Sequence, residues 1–568
     1  MNDVMTTNIK IFLLSLFEQG VKNFVVSPGS RSTPVVLLLA ELASQRSEIN
    51  IYIDVDERSA SFFGLGLAKK NKIPVGLICT SGTAATEYAS AVAEAKLSHI
   101  PLVVITSDRP AELSNIGAPQ AINQNDLYHG NTKYFVNLNL QDDSEQTSKY
   151  VEFESQRTVA RSLDYPRGPV QINLPLRKPL MPILDSEDPV VSKINFNSAN
   201  YSSVVTDYKQ ILADKKVLII AGPEELDYHS DLLALAESQN WPIMADVLSN
   251  TRNCSKYVIN NGDLFIKTGT KEVLDYVKPD VILRFGGTLV SASISNWLKK
   301  VSSSAEIIYV GDHELNDYTL STDNFVAGSE KSFIKNIINL NLNNSPAYLE
   351  KLIELNNFGE QKKNELQNDE FSELSIPKII DDNITKSSNI FLSNSMPIRD
   401  FENYYLGTKT RSIFCNRGAN GIDGVVSTAM ATGIGSEDNV LFIGDLALFH
   451  DMNGLMMAKR YQIPMTIVVS NNNGGGIFSF LPQSKATDYF ETLFGTPQDL
   501  KIADIATLYG FDYFQVSDKQ QAINALDHDA KQKIIEIQSD RSINVKQHRT
   551  LETKFGSEIN QFVIDKSK

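Results

Sequence analysis

The chain has 568 residues, of which 42% are hydrophobic and 21% charged, and its formal net charge is −15. That length exceeds one compact core and suggests roughly three or four domains of ordinary globular composition, while the acidic balance excludes general nucleic-acid binding, which needs a basic surface. Cys79, Cys254 and Cys415 form no CxxC pair and the seven histidines show no HxxH or HxxxH spacing, so neither a disulfide framework nor a histidine metal site is expected. The apolar run at 11–17 ends at Glu18, too short for a signal peptide or a membrane span, and the expected location is the cytoplasm.

Residues 1–185 read as the first of three segments. A strand predicted at 24–26 ends in Ser27-Pro28-Gly29-Ser30-Arg31-Ser32-Thr33-Pro34, and a helix follows over 35–43 with Pro34 in its first turn. Such a turn gathers N–H groups and hydroxyls at a helix N-terminus, which suits an anion held by Ser30 and Arg31. An ordinary helix cap also explains the serines, but it leaves Arg31 without a partner. The next strand, 51–53, runs into Asp54-Val55-Asp56-Glu57-Arg58 at the start of a helix, where the helix dipole by itself favours acidic residues. A strand at 74–80 leads to Ser81-Gly82-Thr83-Ala84-Ala85, which caps a helix through Ala95, and one at 102–106 leads to Ser107-Asp108-Arg109-Pro110. Strand, turn and helix recur at intervals of roughly 25 residues, which predicts a doubly wound parallel α/β sheet. Residues 116–124 have too little periodicity for core and read as a polar loop, and a strand at 170–174 closes the segment.

The Ser-, Asn- and Asp-rich stretch 186–207 suits a crossover into a second α/β segment, 186–345, with strands at 217–221, 243–245, 281–285 and 307–310. Its Gly286-Gly287-Thr288 turn could meet a nucleotide phosphate, but no GxGxxG fingerprint follows and a tight strand-to-helix connection accounts for it. Residues 336–368 read as a polar surface helix and connector. The third segment, 346–568, carries strands at 390–392, 412–414, 440–443 and 465–469. Turns at Ser393-Asn394-Ser395-Met396-Pro397-Ile398-Arg399 and Asn416-Arg417-Gly418-Ala419 place hydroxyls and arginines at strand ends, where α/β sheets bind ligands.

The βαβ unit at 440–480, with one amphipathic helix between its strands, is the most informative stretch. Its first turn holds Gly444 and Asp445, and its second holds Asn471-Asn472-Asn473 followed by Gly474-Gly475-Gly476. A carboxylate, an amide oxygen and an open glycine backbone are donors suited to a metal diphosphate. Asn472 stands 27 positions after Asp445, and this spacing resembles the Gly-Asp and Asn-Asn signature of thiamine-diphosphate enzymes.

Within that superfamily the stretches SPGSRSTP (27–34), DERSASFFGLGLAK (56–69), TSGTAATE (80–87), SDRPAEL (107–113), NRGANGIDG (416–424) and NNNGGGIFSFLP (471–482) resemble the 2-succinyl-5-enolpyruvyl-6-hydroxy-3-cyclohexene-1-carboxylate synthase family, the MenD family. The resemblance implies three doubly wound parallel-sheet domains: 1–185 binding the pyrimidine, 186–345 central, and 346–568 binding the diphosphate. It also implies a decarboxylating carboligase of menaquinone biosynthesis that joins a decarboxylated 2-oxoglutarate to isochorismate. Its cofactors would be thiamine diphosphate and Mg2+ (or Mn2+). Asp445, Asn472 and Gly474 would hold the metal, Glu57 would activate the aminopyrimidine, and Ile422 and Gly444 would also contact the cofactor. Ser30, Arg31, Arg109 and Gln120 would lie toward isochorismate and Ser395 and Arg399 toward the succinyl carboxylate, with Arg417 and Phe478 lining the pocket. Both substrates are dicarboxylates, which arginine's planar fork suits, although any of these arginines could pair with an acidic neighbour instead. The family arrangement further implies a homodimer or homotetramer with sites between subunits.

Two departures from the family pattern stand out. Pro119 precedes Gln120 where the family usually has Asn, and Ser291-Ala292-Ser293 stands where many members carry a Lys-Arg pair. Another thiamine-dependent 2-oxoacid decarboxylase is the nearest rival reading. A non-catalytic thiamine-fold binding module is the rival from a different class, and it would have no need of Glu57.

Overall fold

The computed structural model describes residues 2–196, 207–223, 227–311, 314–340, 342, 344–367, 371–385, 388–405, 407 and 412–568. The expected crossover at 186–207 and connector at 336–368 therefore lie partly outside the described residues.

Three six-stranded sheets, parallel throughout, carry the chain, as expected of a doubly wound α/β protein. The first consists of β1 (Asn23–Val26), β2 (Asn50–Ile53), β3 (Val75–Cys79), β4 (Leu102–Asp108), β5 (Phe135–Asn137) and β6 (Val170–Pro175), in the order β2-β1-β3-β4-β6-β5. The second consists of β7 (Val217–Ala221), β8 (Ile243–Ala245), β9 (Val258–Ile259), β10 (Val281–Phe285), β11 (Glu306–Gly311) and β12 (Asn324–Ala327), in the order β12-β11-β10-β7-β8-β9. The third consists of β13 (Asn389–Leu392), β14 (Ser412–Phe414), β15 (Asn439–Gly444), β16 (Met465–Asn471), β17 (Asp512–Val516) and β18 (Gln532–Gln538), in the order β14-β13-β15-β16-β18-β17. Interior strands such as Val75–Cys79 are buried along their whole length, because helices cover both faces of a parallel sheet.

The chain divides into two compact units. One comprises Met1–Ala199, Asn416–Gly435 and Phe449–Ile463; the other comprises Asn200–Cys415, Ser436–Leu448 and Pro464–Lys568. The first unit is organised around helix Glu57–Asn71, buried continuously from Ser59 to Ala68, and helix Val425–Gly433, buried at every residue. Both are apolar or small all round, as helices without a solvent face must be. A Cβ added at Gly66 would stand 2.4 Å from the Thr428 carbonyl oxygen, so the two helices approach to backbone contact.

In the second unit Tyr348, Leu352 and Leu355 of helix Ala347–Gln367, and Leu551, Phe555, Ile559 and Val563 of helix Arg541–Lys566, join the core of the second sheet. Helix Ala347–Gln367 is thus half core rather than the surface helix its polar composition suggests, each buried leucine contributing on the order of 2 kcal/mol. The helix expected after Asp445 is broken into Asp445–His450, a 3-10 turn Met452–Gly454 and Leu455–Tyr461. The break falls at Asp451, which leaves the helical region at φ −129 and ψ 29 with its carboxylate held by Ser427 N and Oγ.

Gly424 and Gly435, at the two ends of Val425–Gly433, separate sterics from backbone strain. Both have positive φ, but a Cβ at Gly424 would fall 1.8 Å from the Phe62 ring, whereas at Gly435 nothing lies within 4 Å. Gly435→Ala should cost only the left-handed strain, about 1 kcal/mol, while Gly424→Ala should cost at least about 3 kcal/mol. Apparent melting temperatures of the two variants measure the difference, and equal shifts would contradict it.

Candidate active site

In the first unit the turns after β1, β2, β3 and β4 all lie at the carboxyl ends of a parallel sheet. Arg31 is 4% exposed: its Nη1 donates to the Leu176 carbonyl at 2.5 Å, its backbone N–H donates to Thr80 Oγ1 at 3.2 Å, and its Nε has no partner among the described residues. Burial lowers its pKa and the nearby Arg109 charge lowers it further. Arg109 donates through Nε and Nη2 to the Pro119 carbonyl at 3.2 and 3.1 Å. Proline at 119 therefore removes an N–H, as its chemistry dictates, yet supplies the oxygen that seats Arg109. Gln120 stands at φ +58 with its Nε2 on the Ser81 carbonyl at 3.0 Å, and Ser30 is exposed. The loop 116–124 is not polar throughout in its environment. Gln124 is fully buried, accepting from Gly82 N–H at 2.9 Å and donating to the Ser107 carbonyl.

Glu57 opens its helix behind Asp56, whose carboxylate caps Arg58 N and Ser59 N. Burial raises the pKa of Glu57, and the charges of Asp56 and Glu87 raise it further. The fully buried Cys79 and Tyr88 lie close enough to feel its charge. This first turn is anchored from outside its own helix. Arg58 Nη2 donates to the His450 carbonyl at 2.8 Å, and Asn453 Nδ2 to Asp56 Oδ2 at 2.9 Å. Ser59 meets Ser427 Oγ at 3.0 Å, and Ser427 donates through N and Oγ to the carboxylate of Asp451. Ile422 is half-buried in the turn before Gly424, and Arg417 is half-buried two turns upstream. The loop carrying Arg417 hangs on Glu94, a carboxylate 3% exposed that accepts Gly418 N at 2.9 Å and Ala419 N at 2.6 Å.

In the second unit Asp445, 2% exposed, starts a helix at the end of β15 and accepts Gly474 N at 2.9 Å. Burial pushes its pKa up to about 6 against the hydrogen bonds it accepts, and Glu373 adds a repulsive charge. Asn472 Oδ1 is buried with no partner among the described residues. Gly474 adopts φ +141 with its Cβ position 2.0 Å from the Gly495 carbonyl, so only glycine fits. One carboxylate, one orphaned amide oxygen and a glycine backbone converge here. That donor set fits a hard divalent cation, and it is not one of the His, Cys, Asp and Glu clusters, of which the described residues contain none of three or more. Gly444 is half-buried beside Asp445, and Phe478 packs 5.7 Å from the Phe494 ring. Ser395 sits at φ +72 ahead of helix Met396–Tyr404, and Arg399 Nη1 donates to its carbonyl. Ser291 does not replace a missing cation. It is buried, accepts Ile294 N as a helix cap and donates to Asp263.

The structure thus joins Arg31 with Arg109, Asp445 with Asn472 and Gly474, and Ser395 with Arg399. Glu57, Ile422 and Arg417 fall in the first unit, and Phe478 and Gly444 in the second. Glu94, Gln124, Asp451 and Glu373 are the supporting residues that motif reading passes over, since none lies in a signature.

Three family models match in turn: a thiamine pyrophosphate enzyme N-terminal TPP binding domain over residues 7–127, a middle domain of thiamine pyrophosphate enzymes over 178–392, and a thiamine pyrophosphate enzyme C-terminal TPP binding domain over 400–536. The fold and these matches together define a thiamine pyrophosphate enzyme. Curated relatives named 2-succinyl-5-enolpyruvyl-6-hydroxy-3-cyclohexene-1-carboxylate synthase are similar almost end to end. The protein from Leuconostoc mesenteroides is 44% identical over 97% of this chain and 99% of its own length, that from Listeria monocytogenes 38% over 97% of each, and that from Enterococcus faecalis 37% over 98% of each. The chain belongs to this synthase family.

Asp451, wholly buried, has its pKa pushed up to about 7 by burial, against the hydrogen bonds from Ser427. A raised acid favours folding below its unfolded value and loses that contribution as pH rises to the folded value. Stability should therefore decline between about pH 4 and 7 on its account. Asp451→Asn, which keeps an acceptor for Ser427 N, should flatten that slope. Denaturant titrations across this range test it, an unchanged slope being the contrary result.

Proposed function

We propose that this chain decarboxylates 2-oxoglutarate and joins the resulting four-carbon fragment to isochorismate, in the cytoplasm, as the synthase step of menaquinone biosynthesis. Family membership supports the reaction, and the observation that carries the cofactor site is the orphaned Asn472 oxygen beside the buried Asp445–Gly474 contact. Among the described residues no helix is long and apolar enough to cross a membrane.

Asp445, Asn472 and Gly474 would hold Mg2+ (or Mn2+) and through it the diphosphate, with Gly444 beside them. Glu57 would meet the aminopyrimidine and Ile422 would prop the cofactor. When bound, thiamine diphosphate supplies the electron sink that decarboxylation of a 2-oxoacid requires. The task of Glu57 is to hold and pass a proton at a carboxyl oxygen, and its burial raises its pKa in the direction that favours the protonated form. Ser30, Arg31, Arg109 and Gln120 would bind the acceptor's carboxylates, Ser395 and Arg399 the distal carboxylate of the 2-oxoacid, and Arg417 and Phe478 would line the pocket. A homodimer or homotetramer, with each site drawing residues from two subunits, is the assembly this reading requires.

Isochorismate should disappear only when protein, thiamine diphosphate, Mg2+ and 2-oxoglutarate are all present, and Glu57→Gln should lower turnover at least about a hundredfold while cofactor binding survives. Persistence of isochorismate, or preference for pyruvate, would overturn the reading. The metal site makes a separate prediction. Because Asp445 titrates at about 6, the cation must displace a proton below that pH. Calorimetric Mg2+ affinity in the presence of thiamine diphosphate should be level above about pH 7 and fall roughly tenfold per unit below 6. An affinity level down to pH 5 would contradict this.

A further inference from the structure

His548 lies on the last helix, Arg541–Lys566, and is 2% exposed. Its Nδ1 is 3.0 Å from the Asn544 carbonyl and its Nε2 is 2.8 Å from Asp400 Oδ1. Both partners are acceptors. A neutral imidazole carries one N–H, so one of these contacts would set lone pair against lone pair. The pair must therefore hold one proton more than a neutral ring and a carboxylate would.

Burial alone would lower the ring's pKa. The charge of Asp400 and the hydrogen bonds to Asp400 and the Asn544 carbonyl outweigh it, Glu373 adds to them, and the result lies above the ordinary histidine value. The ionisable groups facing the ring are Asp400 on helix Met396–Tyr404, Glu373 on the 3-10 turn Glu373–Ser375, and Tyr404, whose ring stands 5.4 Å away. Phe480, the last residue of the 3-10 turn Gly476–Phe480, makes an edge-to-face contact with the imidazole, ring centroids 5.0 Å apart at 81°.

These contacts join two parts of the chain that the functional reading places at the pocket, Arg399 toward the distal carboxylate of the 2-oxoacid and Phe478 in the lining. Asp400 follows Arg399 directly, and Phe480 is two residues from Phe478 in the same short turn. Through these contacts His548 braces the helix that carries one and the turn that carries the other. We propose that His548, as an imidazolium bound to Asp400, is a positioning residue that fixes Arg399 for the distal carboxylate of the 2-oxoacid donor and steadies the pocket wall at Phe478. This rests on the reading that Arg399 binds the 2-oxoacid's distal carboxylate and that Phe478 lines the pocket.

The test uses full-length protein with thiamine diphosphate and Mg2+. His548→Leu should raise KM for 2-oxoglutarate about tenfold or more while KM for isochorismate stays within about twofold, and His548→Gln, which keeps an N–H for Asp400, should recover most of the loss. In the wild type KM for 2-oxoglutarate should climb as pH passes the imidazolium's pKa, and in His548→Gln that climb should vanish. Should the leucine variant fail to fold, the glutamine variant's pH profile and nitrogen-15 NMR of the wild-type ring decide the matter, with both ring nitrogens of His548 expected protonated at neutral pH. A singly protonated ring at neutral pH, or equal KM changes for both substrates, would overturn the proposal alone. A wild type that never consumes 2-oxoglutarate would overturn the functional reading, and this proposal with it.

Discussion

One interaction recurs wherever the structure must hold a loop in place: a buried carboxylate accepts backbone N–H groups from a segment distant in sequence. Glu94 holds Gly418 and Ala419, Asp451 holds Ser427, Asp445 holds Gly474, Asp246 holds Val290 and Glu402 holds Val247. Loops at the ends of parallel strands present unpaired N–H groups that no sheet or helix satisfies, and leaving them buried and bare costs about 1–3 kcal/mol each. A carboxylate can accept two or more such bonds and binds them more strongly than a neutral oxygen. Some of the acidic residues in this chain therefore act as internal scaffolding rather than surface charge, and turns at the strand ends rest on them.

That arrangement explains what could be read from sequence alone. Strands bounded by glycine, serine or proline turns, such as those at 24–26, 217–221 and 440–443, were legible because buried parallel strands are short, dense apolar runs. The strands that composition hides are chiefly edges. Phe135–Asn137, Val258–Ile259, Asn324–Ala327 and Asp512–Val516 all end a sheet, where one side of the ladder is open and polar residues are tolerated. Gln532–Gln538 is an interior strand, but its sequence QKIIEIQ conceals it. Lys533 reaches the carbonyls of Leu526 and His528, and Glu536 meets Tyr513 and Asn471, so charges sit inside because each has a partner. The single helix expected after Asp445 is interrupted for a related reason, since the bond from Ser427 to the Asp451 carboxylate is a tertiary demand with no local signal.

The candidate site divides in the same way. Asp445, Asn472 and Glu57 announce themselves by residue type at the ends of predicted strands. Glu94, Asp451 and His548 act at separations of 324, 24 and 148 residues from the groups they hold, and nothing in the neighbouring sequence marks them. The departures at 119 and 291 became interpretable only in three dimensions. A proline looks like a loss on paper, whereas its carbonyl seats Arg109, and Ser291 belongs to a helix cap rather than to a depleted cationic pair.

Buried and half-exposed arginines are held in two ways in this chain, by carboxylates or by backbone carbonyls. Arg252 pairs with Glu402 at 2.6 Å and Arg284 with Asp317 at 2.9 Å, all four side chains buried, so each charge is neutralised within the protein. Arg31 and Arg109 are instead seated by the carbonyl oxygens of Leu176 and Pro119, which orient a guanidinium without cancelling its charge. Asp108 stands near both, but its oxygens are taken up by Arg109 N and Asn173 Nδ2, and burial raises its pKa. Two like charges held close together are unfavourable, and on the reading proposed for Arg31 and Arg109 a bound dianion would relieve that repulsion. An acidic protein can in this way bind acidic substrates. The positive charge need not be abundant; it must be placed where backbone oxygens, and not carboxylates, hold it.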